Sequence, residues 1–167
     1  MNLKILLIIP LIFLGAISVK PPPVFEEDYQ QYISMAEFNK KYIADLEKIK
    51  ALGAPDSLAP LIYSKSVKYG FAPEMVTRLI KIESNFNKFA LSNKGAIGLM
   101  QTTQSTCKAY NLEYSYEESV NIDNGLYILS DKVNQYGTLE LALYSYNGGW
   151  KAVKYKFNSH YVKSILD

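Results

Sequence analysis

Apolar side chains recur at helical spacing along most of this 167-residue chain, and no segment alternates between apolar and polar residues. The clearest case is residues 120–136, where one stripe holds six apolar side chains: Val120, Ile122, Leu126, Leu129, Val133 and Tyr136. Gly137 follows directly and is a typical helix stop. Because a half-buried strand needs alternation with a period of two, the sequence predicts an all-α, or nearly all-α, fold.

Seven further stretches are predicted to be helical: residues 26–50, 58–68, 73–84, 100–110, 139–146, 150–157 and 160–166. Pro73 suits the first position of its helix. Asp56 or Ser57 is expected to cap the helix at 58–68, and Thr138 the helix at 139–146. Residues 85–98 are rich in Asn, Ser and Gly, so we expect a loop or a pair of irregular turns there.

The first residues follow the three-part pattern of a secretory signal. Lys4 gives a basic start, residues 5–15 form an apolar run, and Ala16 and Ser18 are the small residues of a cleavage site. We therefore expect a signal peptide over residues 1–18, with an uncleaved membrane anchor as the alternative. The protein is expected to be exported, to the periplasm or cell envelope.

A stiff linker is predicted at the three consecutive prolines of residues 21–23. The amphipathic helix that follows, over residues 26–50, either packs on the main domain or docks a partner. The predicted organisation is a signal segment over 1–18, a linker and helix over 19–56, and a globular domain over 57–167.

Composition narrows the class of function. Eighteen basic and sixteen acidic residues give a net charge of +2, which is too balanced to indicate a nucleic-acid-binding protein. Cys107 is the single cysteine and His160 the single histidine, so neither a disulfide nor a histidine metal cluster can form within the chain. We expect Cys107 to be a small buried side chain, His160 to lie at the surface, and no metal or cofactor to be needed.

Glu83 is the unusual residue of its helix, because it continues the apolar face of Val76, Leu79 and Ile80. A carboxylate on a core-facing position is costly unless it has a purpose or a partner. The alternative is a half-exposed glutamate at a helix C-terminus, where the helix dipole disfavours negative charge.

Two polar, glycine-containing clusters follow Glu83 along the chain, at residues 92–101 and 144–149. Alone, such clusters are typical of turns. In order, they resemble the motif series of the soluble lytic transglycosylase (SLT) domain family. The matching segments are Ile82-Glu83-Ser84, Gly95-Ala96-Ile97-Gly98-Leu99-Met100-Gln101, Asn121-Ile122, Ser145-Tyr146-Asn147-Gly148-Gly149 and Tyr161-Val162.

The resemblance extends from about Ser57 to Leu166 and implies a lysozyme-like, mostly helical fold related to goose-type lysozymes. It implies that Glu83 is the catalytic residue and that Asn121 is mainly structural. Six residues match positions that bind the sugar substrate or approach the catalytic carboxylate: Ser92, Met100, Gln101, Tyr146, Asn147 and Tyr161. The sequence departs from the family pattern at residues 102–104 and at Trp150. These departures concern the expected outer sugar subsites more than the catalytic chemistry.

One carboxylate suffices for the reaction that the resemblance implies. Glycosidases usually use two, and the other candidates, Asp123, Glu117 and Glu118, lie outside the matched motifs and are expected on solvated helix surface. Lytic transglycosylases cleave the β-1,4 bond between N-acetylmuramic acid and N-acetylglucosamine and leave a 1,6-anhydromuramic end, with one glutamate as acid and then base. We expect desolvation to raise the pKa of Glu83, with four apolar side chains as walls: Ile80, Ile97, Leu99 and Met100.

Two alternatives remain at the level of sequence: a goose-type lysozyme-like muramidase that activates water, and a non-catalytic peptidoglycan-binding module. The expected partner is the glycan strand of peptidoglycan, with no nucleic acid. The small size of the chain suggests a monomer that serves a membrane-associated secretion or conjugation assembly.

Overall fold

The computed structural model describes residues 26–167, with side chains from residue 30 onward. The predicted signal segment and proline linker lie outside the described residues. The helices are α1 (Glu26–Ala51), α2 (Ala59–Lys68), α3 (Pro73–Ser84), α4 (Gln104–Ala109), α5 (Glu118–Tyr136), α6 (Leu139–Tyr155) and α7 (Ser159–Leu166). Two strands of two residues each, β1 (Ala96–Ile97) and β2 (Thr102–Thr103), pair antiparallel. The described part is therefore nearly all helical, as predicted.

The long helix α1 belongs to two compact units that divide after Phe38. In the first unit, helical residues 26–38 expose Tyr32 and Met35. In the second, the remainder of α1 packs on the domain, because Ile49 is fully buried in the core and the Tyr42 ring meets the Tyr63 ring edge-on, with ring centroids 4.8 Å apart. Among residues 26–167, no helix combines the length and the apolarity that a membrane span requires.

The core of the second unit forms where α5 packs on α6 and where α3 packs on α2 and α7. The apolar faces that the sequence predicts for α3 and α5 supply much of it, since six of their side chains are fully buried: Val76, Leu79, Ile80, Ile122, Leu126 and Leu129. Burial of a side chain of this size contributes roughly 1.5–3 kcal/mol. The consequence for the site is that the last turn of α3 faces α7.

Several helix ends agree with the sequence prediction and others do not. Thr138 caps α6 by accepting the N–H of Leu141 at 3.2 Å, and Gly137 ends α5 with a φ of 79°. Neither Asp56 nor Ser57 caps α2, because Leu58 is the N-cap residue and the helix has no side-chain cap. The break predicted between residues 139–146 and 150–157 is confirmed, because Gly149, with a φ of 66° and a ψ of −165°, is not helical and divides α6 into two helices at a kink.

The helix predicted over 100–110 begins only at Gln104, because residues 98–103 form a turn and β2. Asn121, fully buried on α5, holds this turn. Its Oδ1 accepts the N–H of Met100 at 2.8 Å, and its Nδ2 donates to the carbonyls of Ile97 and Ser115, each at 3.1 Å. A buried amide with several partners fixes the backbone around it, so the structural role expected for Asn121 is borne out by these bonds.

Gly98 is the residue that lets the turn approach Asn121. It has a φ of 75°, and a Cβ atom built on it would lie 2.5 Å from Cγ of Asn121. Gly95 has nearly the same φ, 74°, but no atom lies within 4 Å of its ideal Cβ position. Alanine in place of Gly95 would therefore introduce backbone strain alone, whereas alanine in place of Gly98 would add a steric clash to the same strain.

We predict that Gly95→Ala lowers the free energy of unfolding by about 1 kcal/mol, the cost of a left-handed alanine. Gly98→Ala should lower it by about 3 kcal/mol, because overpacking against the Asn121 amide is added to the same strain. Urea unfolding followed by circular dichroism measures both. Equal losses in the two variants would mean that contact with Asn121 does not constrain the turn.

Candidate active site

Glu83 lies in the last turn of α3, where it is partly buried. Val76, Leu79 and Ile80 on the same face are fully buried, which agrees with the face predicted from their spacing. The helix ends directly afterwards at Asn85, with a φ of 50°. The carboxyl group therefore stands at the border between the core and solvent.

Ser84 fixes the end of α3 to the turn that follows. Its Oγ lies 3.1 Å from the carbonyl oxygen of Ile80 and 3.0 Å from that of Leu99, so its hydroxyl group can donate to either. Leu99 is fifteen residues further along the chain. Since Ser84 is buried, this contact is shielded from water. The motif comparison included Ser84 only as a neighbour of Glu83, and nothing in the spacing of Ser84 indicated that it would hold the end of α3.

Tyr161 of α7 meets Glu83 directly. Its hydroxyl donates to Oε1 of Glu83 at 2.5 Å, while Val162 and Ile165 anchor α7 in the core. Burial and the negative charge of Glu83 raise the pKa of Tyr161 well above its ordinary value. The phenol therefore stays protonated near neutral pH and remains a hydrogen-bond donor.

A second phenol, that of Tyr146, lies close to the same carboxyl group. Its hydroxyl donates to the carbonyl of Met100 at 2.7 Å, which ties α6 to the 98–103 turn. Burial and the charge of Glu83 raise the pKa of Tyr146 well above its ordinary value. Two protonated tyrosines thus stand beside Glu83, whereas contact of its carboxyl group with the apolar walls expected from the sequence stays a prediction.

Burial raises the pKa of the Glu83 carboxyl above its ordinary value, and the hydrogen bond from Tyr161 opposes that rise only in part. Desolvation disfavours the charged form, whereas a donated hydrogen bond stabilises it. The net direction agrees with the expectation from the sequence. A carboxyl group in this state has a larger protonated fraction near neutral pH than a free glutamate.

The other three candidate carboxylates are engaged elsewhere. Glu117 is the N-cap residue of α5 and accepts the N–H of Val120 at 2.6 Å, and Glu118 pairs with Lys88 at 3.4 Å. Glu117 is exposed, and the side chain of Glu118 is 41% exposed, so both carboxylates reach solvent as expected.

Asp123 differs from that expectation, because it is partly buried and accepts hydrogen bonds from Lys65 at 2.8 Å and Lys68 at 2.7 Å. Burial raises the pKa of Asp123, but these two ammonium groups outweigh it and hold the pKa below the ordinary value. Asp123 is thus an ionised structural residue and unsuited to be a second acid.

Ser92 organises the loop before β1. Its Oγ accepts the N–H groups of Lys94 at 3.2 Å and Ala96 at 3.0 Å, and its own N–H donates to the carbonyl of Ala96 at 2.9 Å. These bonds shape the rim of the turn that carries Gly98. Contact of Ser92 with a bound muramic-acid residue stays a prediction.

Met100 and Gln101 present different groups to the site. The Met100 side chain is fully buried and packs against Gly125, where an ideal Cβ atom would lie 2.5 Å from Cβ of Met100. Met100 therefore acts on its surroundings through its backbone N–H and carbonyl. Gln101 is partly exposed with a φ of 48°, and its Nε2 donates to the carbonyl of Gly98 at 3.0 Å.

Asn147 follows Tyr146 on α6 and is exposed, with its Oδ1 accepting from Nδ2 of Asn158 at 2.6 Å. Cys107 is buried and His160 exposed, as the sequence predicted. Within residues 26–167, no three or more His, Cys, Asp or Glu side chains cluster in a way that could hold a metal ion.

The sequence profile of the family described as "Transglycosylase SLT domain" matches residues 60–166. A protein of Enterobacteria phage PRD1 named "Transglycosylase" is 30% identical over 109 residues, which cover 62% of this chain and 41% of that protein. The "Membrane-bound lytic murein transglycosylase C" of Photorhabdus laumondii is 31% identical over 119 residues, which cover 60% of this chain and 33% of that protein. The chain thus spans less than half the length of these curated relatives.

A solved structure of an inactive mutant of lytic transglycosylase Slt from Pseudomonas aeruginosa has the same fold over part of its length. The TM-score is 0.52 at 20% sequence identity, covering 80% of this chain and 26% of that one. At this identity the likeness concerns the fold, which agrees with the lysozyme-like architecture expected from the resemblance.

The raised pKa of Glu83 has a consequence for stability. A carboxyl group whose pKa is higher in the folded than in the unfolded state stabilises the fold below the unfolded pKa, and this contribution is lost as the pH rises through the folded pKa. We therefore predict that Glu83→Gln is more stable than the wild type near pH 8. The difference should shrink toward zero near pH 4, as measured by urea unfolding at both pH values. A Glu83→Gln variant that is less stable than the wild type at pH 8 would contradict burial as the dominant influence on this group.

Proposed function

The chain belongs to the transglycosylase SLT domain family, because the family profile matches residues 60–166, and from this premise we propose that it is a peptidoglycan lytic transglycosylase. The observation that carries the proposal is the placement of Glu83. One carboxyl group with a raised pKa stands beside two protonated tyrosines, while the other three candidate acids serve as a helix cap or in ion pairs.

In the first step, the protonated Glu83 donates its proton to the oxygen of the bond between N-acetylmuramic acid and N-acetylglucosamine. The bond from C1 to this oxygen breaks, and the glucosamine leaves with a 4-hydroxyl group that carries the proton. A positioned acid is most effective when its pKa is near the working pH. The burial of Glu83 favours this role, because it brings the pKa toward neutrality from below.

In the second step, the ionised Glu83 accepts the proton of the muramic C6 hydroxyl while that oxygen bonds to C1. The product is a 1,6-anhydromuramic end, Glu83 is protonated again, and no water is consumed. Because the substrate supplies the nucleophilic hydroxyl, the second carboxylate of ordinary glycosidases is unnecessary. This matches the engagement of Asp123, Glu117 and Glu118 in other contacts.

Between the two steps, the ionised carboxylate faces the positive charge that develops on the sugar. The Tyr161 hydroxyl, 2.5 Å from Oε1 of Glu83, stabilises the ionised form and fixes the carboxyl plane. We assign Tyr161 as a positioning residue, since it acts through Glu83. Gln101, Asn147 and Tyr146 are assigned to the sugar cleft, together with Ser92 on the loop rim and Met100 through its backbone.

We also propose that the protein acts in the cell envelope on glycan strands of peptidoglycan. The basic and apolar start of the sequence favours export, and the Photorhabdus relative is named as membrane-bound. Exposed aromatic side chains near the end of α6, among them Trp150 and Tyr155, suit contact with sugar rings. Monomeric state and service to a secretion or conjugation assembly stay predictions.

We predict that Glu83→Gln lowers the release of soluble muropeptides from purified peptidoglycan by at least about a thousandfold, because the amide can neither donate nor accept the transferred proton. The matched control is Glu118→Gln, which removes a surface carboxylate paired with Lys88 and should retain activity near the wild-type level. Release of soluble fragments is followed by chromatography. Persistent activity in well-folded Glu83→Gln would assign the chemistry to another residue.

A further inference from the structure

Asn158 directly precedes α7 but does not cap it. Asparagine is among the preferred N-cap residues, which ordinarily have an extended backbone and accept an N–H group of the first helical turn. Asn158 instead has a left-handed backbone, with a φ of 59° and a ψ of 42°, and its side chain makes no cap hydrogen bond. Helix α7 therefore begins without a contact that this residue is well suited to supply.

The side chain of Asn158 contacts Asn147 of α6 instead. Its Nδ2 donates to Oδ1 of Asn147 at 2.6 Å. Both residues are exposed, so water competes for the same groups. The net contribution of such a neutral hydrogen bond to stability is similar to that of the helix cap it replaces. Stability alone therefore does not favour this contact, whereas the contact does fix the orientation of the Asn147 amide.

The turn between α6 and α7 brings the two amides together. Lys156 and Asn158 both have left-handed backbones in this turn, with φ angles of 50° and 59°. This conformation is uncommon for residues other than glycine, and asparagine is one of the few that adopt it readily. The chain thus returns to Asn147 over eleven residues, at the cost of a strained backbone at Lys156.

The start of α7 also contacts the proposed catalytic carboxyl group. Tyr161, three residues after Asn158, donates to Oε1 of Glu83. Asn158 and Tyr161 line one cavity of about 300 Å³ together with Ile82 of α3. A single helix end therefore determines the positions of both the Glu83 carboxyl group and the Asn147 amide.

The direction of the hydrogen bond decides which end of the Asn147 amide is available. An asparagine amide has one oxygen that accepts and one nitrogen that donates. Because Oδ1 of Asn147 is held by Asn158, its Nδ2 remains as a donor, and this nitrogen has no hydrogen bond within residues 30–167. Sugar hydroxyl and N-acetyl oxygens are suitable acceptors for such a group.

Resting on the proposed transglycosylase function, which assigns Asn147 to the sugar cleft, we propose that Asn158 is a positioning residue. It holds the Asn147 amide so that Nδ2 faces the bound strand and donates to one of its hydroxyl or N-acetyl oxygens. Without this contact the amide can turn around and present Oδ1 instead. A donor fixed before the substrate arrives binds it at a lower cost in entropy.

The test measures kcat/KM for the release of anhydro-ended products from soluble glycan strands by the full-length protein. Asn158→Asp is the informative variant, because aspartate tolerates a left-handed backbone and suits the start of a helix. At pH 7 the introduced carboxylate can only accept, so Asn147 must turn its Nδ2 toward it and present Oδ1 to the sugar. We expect kcat/KM to fall roughly tenfold, with no loss in the free energy of unfolding.

A pH profile separates orientation of the amide from folding of the turn. When the introduced carboxyl group is protonated, it can again donate to Oδ1 of Asn147. The ratio of kcat/KM for Asn158→Asp to that for the wild type should therefore rise about fivefold between pH 7 and pH 4, since pH 4 is near the ordinary aspartate pKa. The ratio is used because Glu83 and His160 titrate in both proteins.

Lys156→Gly is the matched control, because Lys156 is the other left-handed residue of the same turn and contacts Glu140 rather than Asn147. It should keep the wild-type kcat/KM. A wild-type kcat/KM in Asn158→Asp at pH 7, or a ratio that does not change with pH, would overturn the assignment of Asn158 alone. Failure of the wild type to form anhydro ends would instead overturn the proposed function on which the assignment rests.

Discussion

The buried amide of Asn121 holds the 98–103 turn against α5, and the arrangement of the site depends on that contact. The turn brings the Met100 carbonyl to the Tyr146 hydroxyl and the Leu99 carbonyl to Ser84. Without it, α3 and α6 would lose their common point of attachment beside Glu83. One side chain with no chemical role thus determines where the groups around the candidate carboxylate stand.

The acidity of Glu83 follows from two opposed effects. Burial makes the charged form costly, and the Tyr161 hydroxyl compensates that cost only in part. A raised pKa enlarges the protonated fraction of the carboxyl group near neutral pH, and a general acid must be protonated before it can donate. Because burial raises the pKa of Glu83, the folded protein would be more stable above neutral pH without the negative charge of this group. Such a loss of stability in favour of activity is common at catalytic sites.

Local rules accounted for the parts of the fold that depend on neighbouring residues. The buried face of α3, the stop at Gly137 and the cap at Thr138 all follow from spacing or from the geometry of a single residue. The start of α4 could not be found in this way, because the competing structure at Met100 is imposed by Asn121, twenty-one residues away. The break within α6, by contrast, was predicted from the glycine pair at residues 148 and 149, and Gly149 has non-helical backbone angles.

The candidate site shows the same limit. The spacing of α3 indicated that Glu83 was unusual, but Tyr161 lies seventy-eight residues further on, and only the family resemblance suggested that the two would meet. Tertiary packing decides whether two residues so far apart in the sequence come into contact.

The central claim is that Glu83 serves as acid and then base while the substrate provides the nucleophile. Digestion of purified peptidoglycan in water enriched with heavy oxygen, followed by mass spectrometry of the muramic ends, tests it most directly. The account predicts 1,6-anhydro ends that contain no heavy oxygen. Reducing ends that have gained heavy oxygen would contradict it and would indicate hydrolysis.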